Sequence, residues 1–148
     1  MTAQPPSPAR RPLLLGLIGT GIQLSRTPAM QMREAAAQGV GCVYRLIDLT
    51  ELGLGAEALP ELLTAAERMG FDGLNITHPC KQAVVPLLTE LSPEAAALGA
   101  VNTVVLRAGR RIGHNTDCSG FADGFRRQCR MRHWAARCNS APAVPAPR

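Results

Sequence analysis

Gly73-Leu74-Asn75-Ile76-Thr77-His78-Pro79-Cys80-Lys81 is the stretch on which the fold turns. Gly73–Thr77 reads as a short strand, and the polar residues and proline after it form a loop. The loop feeds a helix around Lys81–Leu88, which Pro86 is expected to kink. A strand passing through a tight polar loop into a helix is the building unit of an α/β sheet.

The same alternation extends outward on both sides. Upstream, Leu59, Leu62, Leu63, Ala66 and Met69 share one helical stripe from about Ala58, and Gly70 stands where a left-handed cap closes the helix. Further up, Leu13–Ile18 is an apolar run of the kind that forms a buried strand, and Gly19 and Gly21 allow a tight loop after it. Thr27-Pro28 then reads as a hydroxyl cap with proline in the first turn. That helix runs to about Gln38 with Gly39 ending it, and Cys42–Leu49 is a second strand. Downstream, Ser92-Pro93-Glu94 starts a helix that ends at Gly99. Val101–Leu106 and Arg111–His114 read as a hairpin turning at Ala108-Gly109. Asp117 or Ser119 caps a last helix with Phe121 and Phe125 on one face. The expected fold class is α/β: a mainly parallel sheet with helices on both faces, in three layers, with ligands bound beyond the carboxyl ends of strands.

Composition narrows the function. The chain has 148 residues, 46% of them apolar and only 3% aromatic, enough for one ordinary domain but poor in rings on which bases could stack. The net charge of +5 is confined to the end: residues 1–125 carry nine Arg and one Lys against eleven acids, whereas residues 126–148 carry six Arg and no acid. Without a basic stripe on the body, nucleic acid is not an expected partner. Five scattered cysteines with no C-x-x-C pair argue against a disulfide framework or zinc site and fit a reducing cytoplasm. His114 and Cys118, four apart, lack companion ligands, so no metal is expected. The arginine pair before Leu13 mimics an export signal, but Gly19, Gly21 and Gln23 break the apolar run, and no stretch reaches the roughly 20 apolar residues of a membrane span.

Chemistry concentrates at strand ends. Fifteen arginines stand against a single lysine, Lys81. A guanidinium stays protonated at any working pH, while an ammonium can release its proton, so a lone Lys in an Arg-rich chain suggests a position where Arg will not do, the alternative being that one lysine survived by chance. Asn75, Thr77 and Lys81 can converge on one crevice, with Pro79 fixing the chain between them. Ser25 and Thr27 follow the first strand, and Asn115-Thr116-Asp117 follow the hairpin. Neutral and cationic groups of this kind suit a hydroxylated, anionic small molecule.

The run G-L-N-I-T-H-P-C-K-Q-A-V resembles the N-[VI]-T-x-P-[FY]-K segment of the shikimate dehydrogenase family. G-A-V-N-T-V and G-H-N-T-D-C-S-G-F are similar to two further elements of that family, in the same order and spacing. G-I-Q-L-S-R-T-P-A-M resembles its first-loop motif in the S-R-T-P form of quinate/shikimate dehydrogenases. The likeness covers roughly residues 13–127. It implies a substrate-binding domain in which Ser25 and Thr27 hold the carboxylate of shikimate or quinate, and Asn75, Thr77 and Asn102 bond ring hydroxyls. Lys81 and Asp117 are implied as the catalytic pair flanking the hydroxyl that is oxidised, with NADP or NAD as the family's cofactor. A salt bridge that merely holds a helix start is the structural alternative for that pair.

Two residues depart from the pattern: Gln31 stands where the family suggests histidine, and Cys80 where it suggests an aromatic. The expected organisation is a disordered segment over residues 1–12, the substrate-binding domain over 13–127, and an irregular basic Pro/Ala-rich tail over 128–148. The family's nucleotide-binding domain is absent from this organisation, so the end reads as a truncated or frameshifted continuation. Two other readings compete. One takes Gly16, Gly19 and Gly21 as a dinucleotide loop with Asp48 as the ribose-binding acid, although Leu24 occupies the last glycine position. The other is a non-catalytic module that still recognises shikimate or quinate.

Overall fold

A computed structural model describes residues 11–128, with side chains through Arg126. These residues form two compact units, one through Thr116 and one from Asp117. The expectations for residues 1–10 and 129–148 lie outside the described residues.

The first unit is a six-stranded sheet. Its strands are β1 (Leu13–Gly19), β2 (Cys42–Asp48), β3 (Gly73–Ile76), β4 (Glu90–Leu91), β5 (Thr103–Arg107) and β6 (Arg110–His114), in the order β2-β1-β3-β5-β6-β4. The class is α/β as expected, and the sheet is mixed: β1 runs parallel to β2 and β3, and β4 parallel to β6, while β5 is antiparallel to both of its neighbours. The hairpin imposes the antiparallel β5–β6 pair, because a two-residue turn can only return the chain alongside itself. Its turn residues, Ala108 and Gly109, have φ of 51° and 72°. That conformation is open to glycine but costs an alanine about 1–2 kcal/mol. Ala108→Gly is therefore expected to stabilise the domain by about 1 kcal/mol, read as a higher urea midpoint. An unchanged or lower midpoint contradicts it.

Helices are α1 (Thr27–Ala37), α2 (Leu49–Leu52), α3 (Leu59–Arg68), α4 (Cys80–Ala83) and α5 (Pro93–Leu98), with α6 (Asp117–Gln128) in the second unit. Alternation along the strands sends Ile18, Leu74, Ile76 and Val104 to one face, where they pack with Leu59, Leu63 and Ala66 of α3 and with Cys80, Val84 and Val101. α1 packs along β2 but buries none of its own residues and adds none to that cluster.

Several local expectations need correction. Met69, expected on the buried stripe, is 62% exposed, because α3 ends at Arg68 and the chain turns away through Gly70 at φ 79°. The helix expected over Lys81–Leu88 is two short pieces, α4 and a single tight turn at Val85–Leu87. Pro86, lacking an N–H, sits in that turn. Thr27 does not cap α1: it is the first helical residue, and the Ser25 hydroxyl accepts its N–H at 3.2 Å. Ser92 caps α5 as expected, accepting from Ala95 N at 3.2 Å. The two-residue β4 and the one-turn α2 carry too little pattern to be read from sequence.

Polar contacts tie the helical layer to the sheet. Arg111 on β6 grips Glu67 of α3 with Nε–Oε1 at 2.8 Å and Nη2–Oε2 at 2.7 Å. The Arg111 hydrogen bond, opposed by burial and aided by its charge, holds the Glu67 carboxyl below its ordinary range. A depressed folded-state pKa gives stability that is full above the unfolded carboxylate pKa and is lost as pH falls through the folded value. Glu67→Gln is expected to cost about 1 kcal/mol at neutral pH and progressively less in acid. A penalty equal at pH 7 and pH 3 contradicts this reading. At the described start, Arg11 pairs with both oxygens of Asp72, whose Oδ2 also accepts from Leu14 N at 2.9 Å.

In the second unit, α6 begins at Asp117, and the Phe121 and Phe125 rings stack with centroids 6.2 Å apart, the one-face arrangement the spacing implies. Among the described residues no helix is long and apolar enough to cross a membrane.

Candidate functional site

The topology brings the chemistry to one end of the sheet. β1 and β3 are parallel, so Gly19 and Ile76 end side by side. β5 is antiparallel to β3, and β6 returns beside it, so the start of β5 and the end of β6 lie at that same end. The segments carrying Ser25, Thr27, Thr77, Lys81, Asn102 and Thr116, with Thr27 and Lys81 in the first turns of α1 and α4, therefore all leave the sheet from one end.

The centre of this end is closely knit. Thr77 N–H donates to Ile18 O at 2.9 Å, and Thr77 O accepts from Cys80 N at 2.8 Å, which folds the chain back into α4. The His78–Pro79 peptide within this turn is cis. Lys81 O accepts from Val101 N at 2.8 Å, and Ile76 N donates to Asn102 O at 2.8 Å, so the segment before β5 lies against both β3 and α4. Thr77, His78, Pro79, Lys81, Gln82 and Ala100 line an open cleft of about 420 Å³. Gly19 allows this closeness: a Cβ there would come within 2.3 Å of Thr77 Cγ2 and 3.0 Å of His78 O.

Asn102 is held by Thr116 at both ends of its amide. Its Nδ2 donates to Thr116 Oγ1 at 2.9 Å, and its Oδ1 accepts from Thr116 N at 3.1 Å. Asn115, only 8% exposed, donates to Ala100 O at 2.9 Å and so braces the loop beside Lys81. Asn75 lies one residue off the apolar core face, half-buried, with its Oδ1 accepting from Tyr44 at 2.7 Å and its Nδ2 donating to Thr103 Oγ1 at 3.2 Å.

Ser25 and Thr27 sit on the loop after β1, with hydroxyls 3.0 Å apart. Asp48 fixes that loop. At 3% exposure it accepts from Gly21 N at 2.9 Å, Ile22 N at 2.8 Å, Gln23 Nε2 at 3.1 Å and Thr50 N at 3.0 Å, and the last of these caps α2. Burial opposes its ionisation, but these hydrogen bonds outweigh it and hold the carboxyl below its ordinary range. The dinucleotide-loop reading fails on this geometry. Both oxygens of Asp48 serve the protein's own backbone, and α1 begins only at Thr27, too late to present its N-terminus behind the glycines. The described residues therefore do not fit a nicotinamide dinucleotide.

Of the residues singled out in the sequence, Asn75, Thr77, Lys81 and Asn102 are joined through the backbone at one end of the sheet. Ser25 and Thr27 occupy a neighbouring loop of that end, and Asp117 opens the second unit. Tyr44, Thr103 and Thr116 were missed as partners of site residues. Their signal was strand alternation combined with register, and register is not written in single-strand patterns. Of the two departures, Cys80 is fully buried, its thiol pushed up by burial, and Gln31 lies half-buried on α1.

Amides, hydroxyls and one lysine are thus gathered at a single end of the sheet in a small α/β domain. The family model described as "Shikimate dehydrogenase substrate binding domain" matches residues 17–104, and the chain belongs to the shikimate dehydrogenase family through that domain. It is 59% identical over 114 residues to the shikimate dehydrogenase (NADP(+)) of Streptomyces avermitilis, covering 77% of this chain and 39% of that protein. It is 62% identical over 115 residues to the quinate/shikimate dehydrogenase (NAD(+)) of Corynebacterium efficiens, covering 76% and 40%. Among solved structures it resembles quinate dehydrogenase from Corynebacterium glutamicum in complex with NAD, with a TM-score of 0.74 and 55% identity over 80% of this chain and 42% of that one. Shikimate 5-dehydrogenase from Listeria monocytogenes, in complex with shikimate and NAD, gives 0.71 and 32% over 79% and 39%. The chain spans about two fifths of the length of these relatives.

Proposed function

We propose that this chain is the substrate-binding half of an NAD(P)-dependent shikimate or quinate dehydrogenase, which interconverts shikimate and 3-dehydroshikimate on the route to chorismate and the aromatic amino acids. The observation that carries the reading is the union of Asn75, Thr77, Lys81 and Asn102 at one end of the sheet, beside a cleft lined by Thr77 and Lys81. Ser25 and Thr27 hold the substrate carboxylate, and Asn75, Thr77 and Asn102 engage ring hydroxyls. Lys81 takes the proton of the hydroxyl whose carbon is oxidised. The nicotinamide that accepts the hydride finds no fitting site among the described residues. What these residues supply is binding, orientation and proton handling. Free thiols at Cys42, Cys80 and Cys118 suit a reducing cytoplasm, and the partner is a small molecule rather than nucleic acid.

A second reading is a non-catalytic module that binds the same ligands. Thermal melts of the chain with shikimate and quinate, each with and without NAD or NADP, test the binding common to both. Either ligand should raise the melting temperature with the logarithm of its concentration above Kd, with a gain of about 1.4 kcal/mol at ten times its Kd. Neither nucleotide alone should shift it. Absence of a shift with both acids overturns the reading, and saturable binding of a nucleotide alone revives the dinucleotide loop. Turnover by the chain itself, supplied with nicotinamide cofactor, would exclude the non-catalytic module.

A further inference from the structure

We propose that Tyr44 is a positioning residue that sets the orientation of the Asn75 amide and makes Asn75 a hydrogen-bond donor toward substrate. The inference rests on the substrate-binding reading above. Tyr44 lies on β2 and Asn75 on β3, and β1 runs between them, Leu15 pairing with Tyr44 and Leu17 with Asn75. The phenol thus reaches across a whole strand. Thr103, directly paired with Asn75 on β5, meets the other end of the amide. The result is a hydrogen-bonded line over the sheet from β2 to β5, with Asn75 in the middle.

The distances fix its polarity. Tyr44 Oη to Asn75 Oδ1 is 2.7 Å, the usual length of an O–H···O bond, while Asn75 Nδ2 to Thr103 Oγ1 is 3.2 Å, at the long end for N–H···O. A flipped amide would place nitrogen at the short contact and oxygen at the long one, a poorer match at both ends. Burial pushes the Tyr44 phenol well above its ordinary range, and Cys42 adds to the effect, so the hydroxyl keeps its proton and stays a donor across the accessible pH range. With Oδ1 receiving the phenol and one N–H given to Thr103, the amide retains a second N–H. That N–H is the donor Asn75 can offer a ligand, and it suits a group with an oxygen lone pair.

Tyr44→Phe removes the donor and keeps the ring, and Thr103→Val removes the acceptor and keeps the shape. The two side chains both touch Asn75 but lie on strands three places apart in the sheet, so a double-mutant cycle in ligand affinity isolates what passes through the amide. The experiment uses the full chain, with shikimate and quinate as probes and calorimetric Kd as the readout. Each single change should weaken binding about 5–10-fold, and the double variant should lose clearly less than the product, because the amide is already released by the first change. A merely structural role predicts lower melting temperatures with unchanged Kd, or losses that multiply, and either outcome overturns the proposal.

A ligand-free readout keeps the inference separate from the function on which it rests. The Asn75 side-chain amide resonances should move in both variants and exchange with solvent faster. If the wild-type chain binds neither acid, the functional reading fails, and the amide signal alone decides the clamp: movement in both variants upholds it, and unchanged resonances overturn it.

Discussion

A chain carrying Lys81→Arg should turn over about 10²–10⁴-fold more slowly than its parent, the usual loss for a general acid or base. The measurement needs residues 1–127 joined to a nucleotide-binding domain of the same family, so that kcat can be read with shikimate and quinate. Proton affinity separates the two roles. Arginine preserves charge and approximate reach, so an electrostatic role would survive the change; releasing a proton at accessible pH would not. Lys81→Met should fall in the same range. KM should change less, because the groups proposed to hold the ligand, Ser25, Thr27, Asn75 and Asn102, stay in place. Near-native kcat in the Arg variant would reduce Lys81 to a source of charge. Loss of substrate binding in that variant would instead place Lys81 in recognition.

The second large effect is expected at Asp48. Asp48→Ala takes the acceptor from the buried Ile22 N–H and from the part-buried Thr50 N–H, while Gly21 N–H keeps the Thr50 hydroxyl at 3.2 Å. A buried donor left unpaired is costly, and its loss together with the α2 cap should lower the melting temperature by about 5–10 °C. Asp48→Asn keeps the shape and one acceptor oxygen and should lose less than half as much. The pH dependence gives an independent check. The folded-state pKa of Asp48 lies below its ordinary value, so its contribution is complete above the unfolded carboxylate pKa and disappears as pH falls through the folded value. The gap between wild type and Asp48→Asn should therefore close in strong acid, and a gap that persists there would show that shape, not charge, separates the two. Because the same carboxylate anchors the loop carrying Ser25 and Thr27, the Asn variant should also bind shikimate or quinate more weakly.

Much of the fold was legible because its signals are local. The stripe of Leu59, Leu63 and Ala66, the Ser92 cap on α5 and the turn at Ala108-Gly109 each depend on a few neighbouring residues, and each is found where the pattern puts it. The errors fall where a local rule meets a tertiary demand. Met69 has the spacing of a core residue, but the helix stops before it. Thr27 has the chemistry of a cap, but Ser25, folded back two residues earlier, takes its N–H and starts the helix one residue sooner.

The candidate site divides along the same line. Sequence by itself determined which residue types stand at the strand ends, because polar groups between apolar runs and a lone lysine among arginines are visible without coordinates, and the motifs they form led to the right family. Only the tertiary structure decided what those residues touch. That Asp48 serves the Gly21–Ile22 backbone rather than a ribose, that Thr116 grips both ends of the Asn102 amide, and that Tyr44 reaches over β1 to Asn75 all depend on strand order and register. Side-chain alternation tells which face a residue takes within its own strand, but a one-residue slip between strands would exchange every partner, and register is settled only when the whole sheet closes around its core.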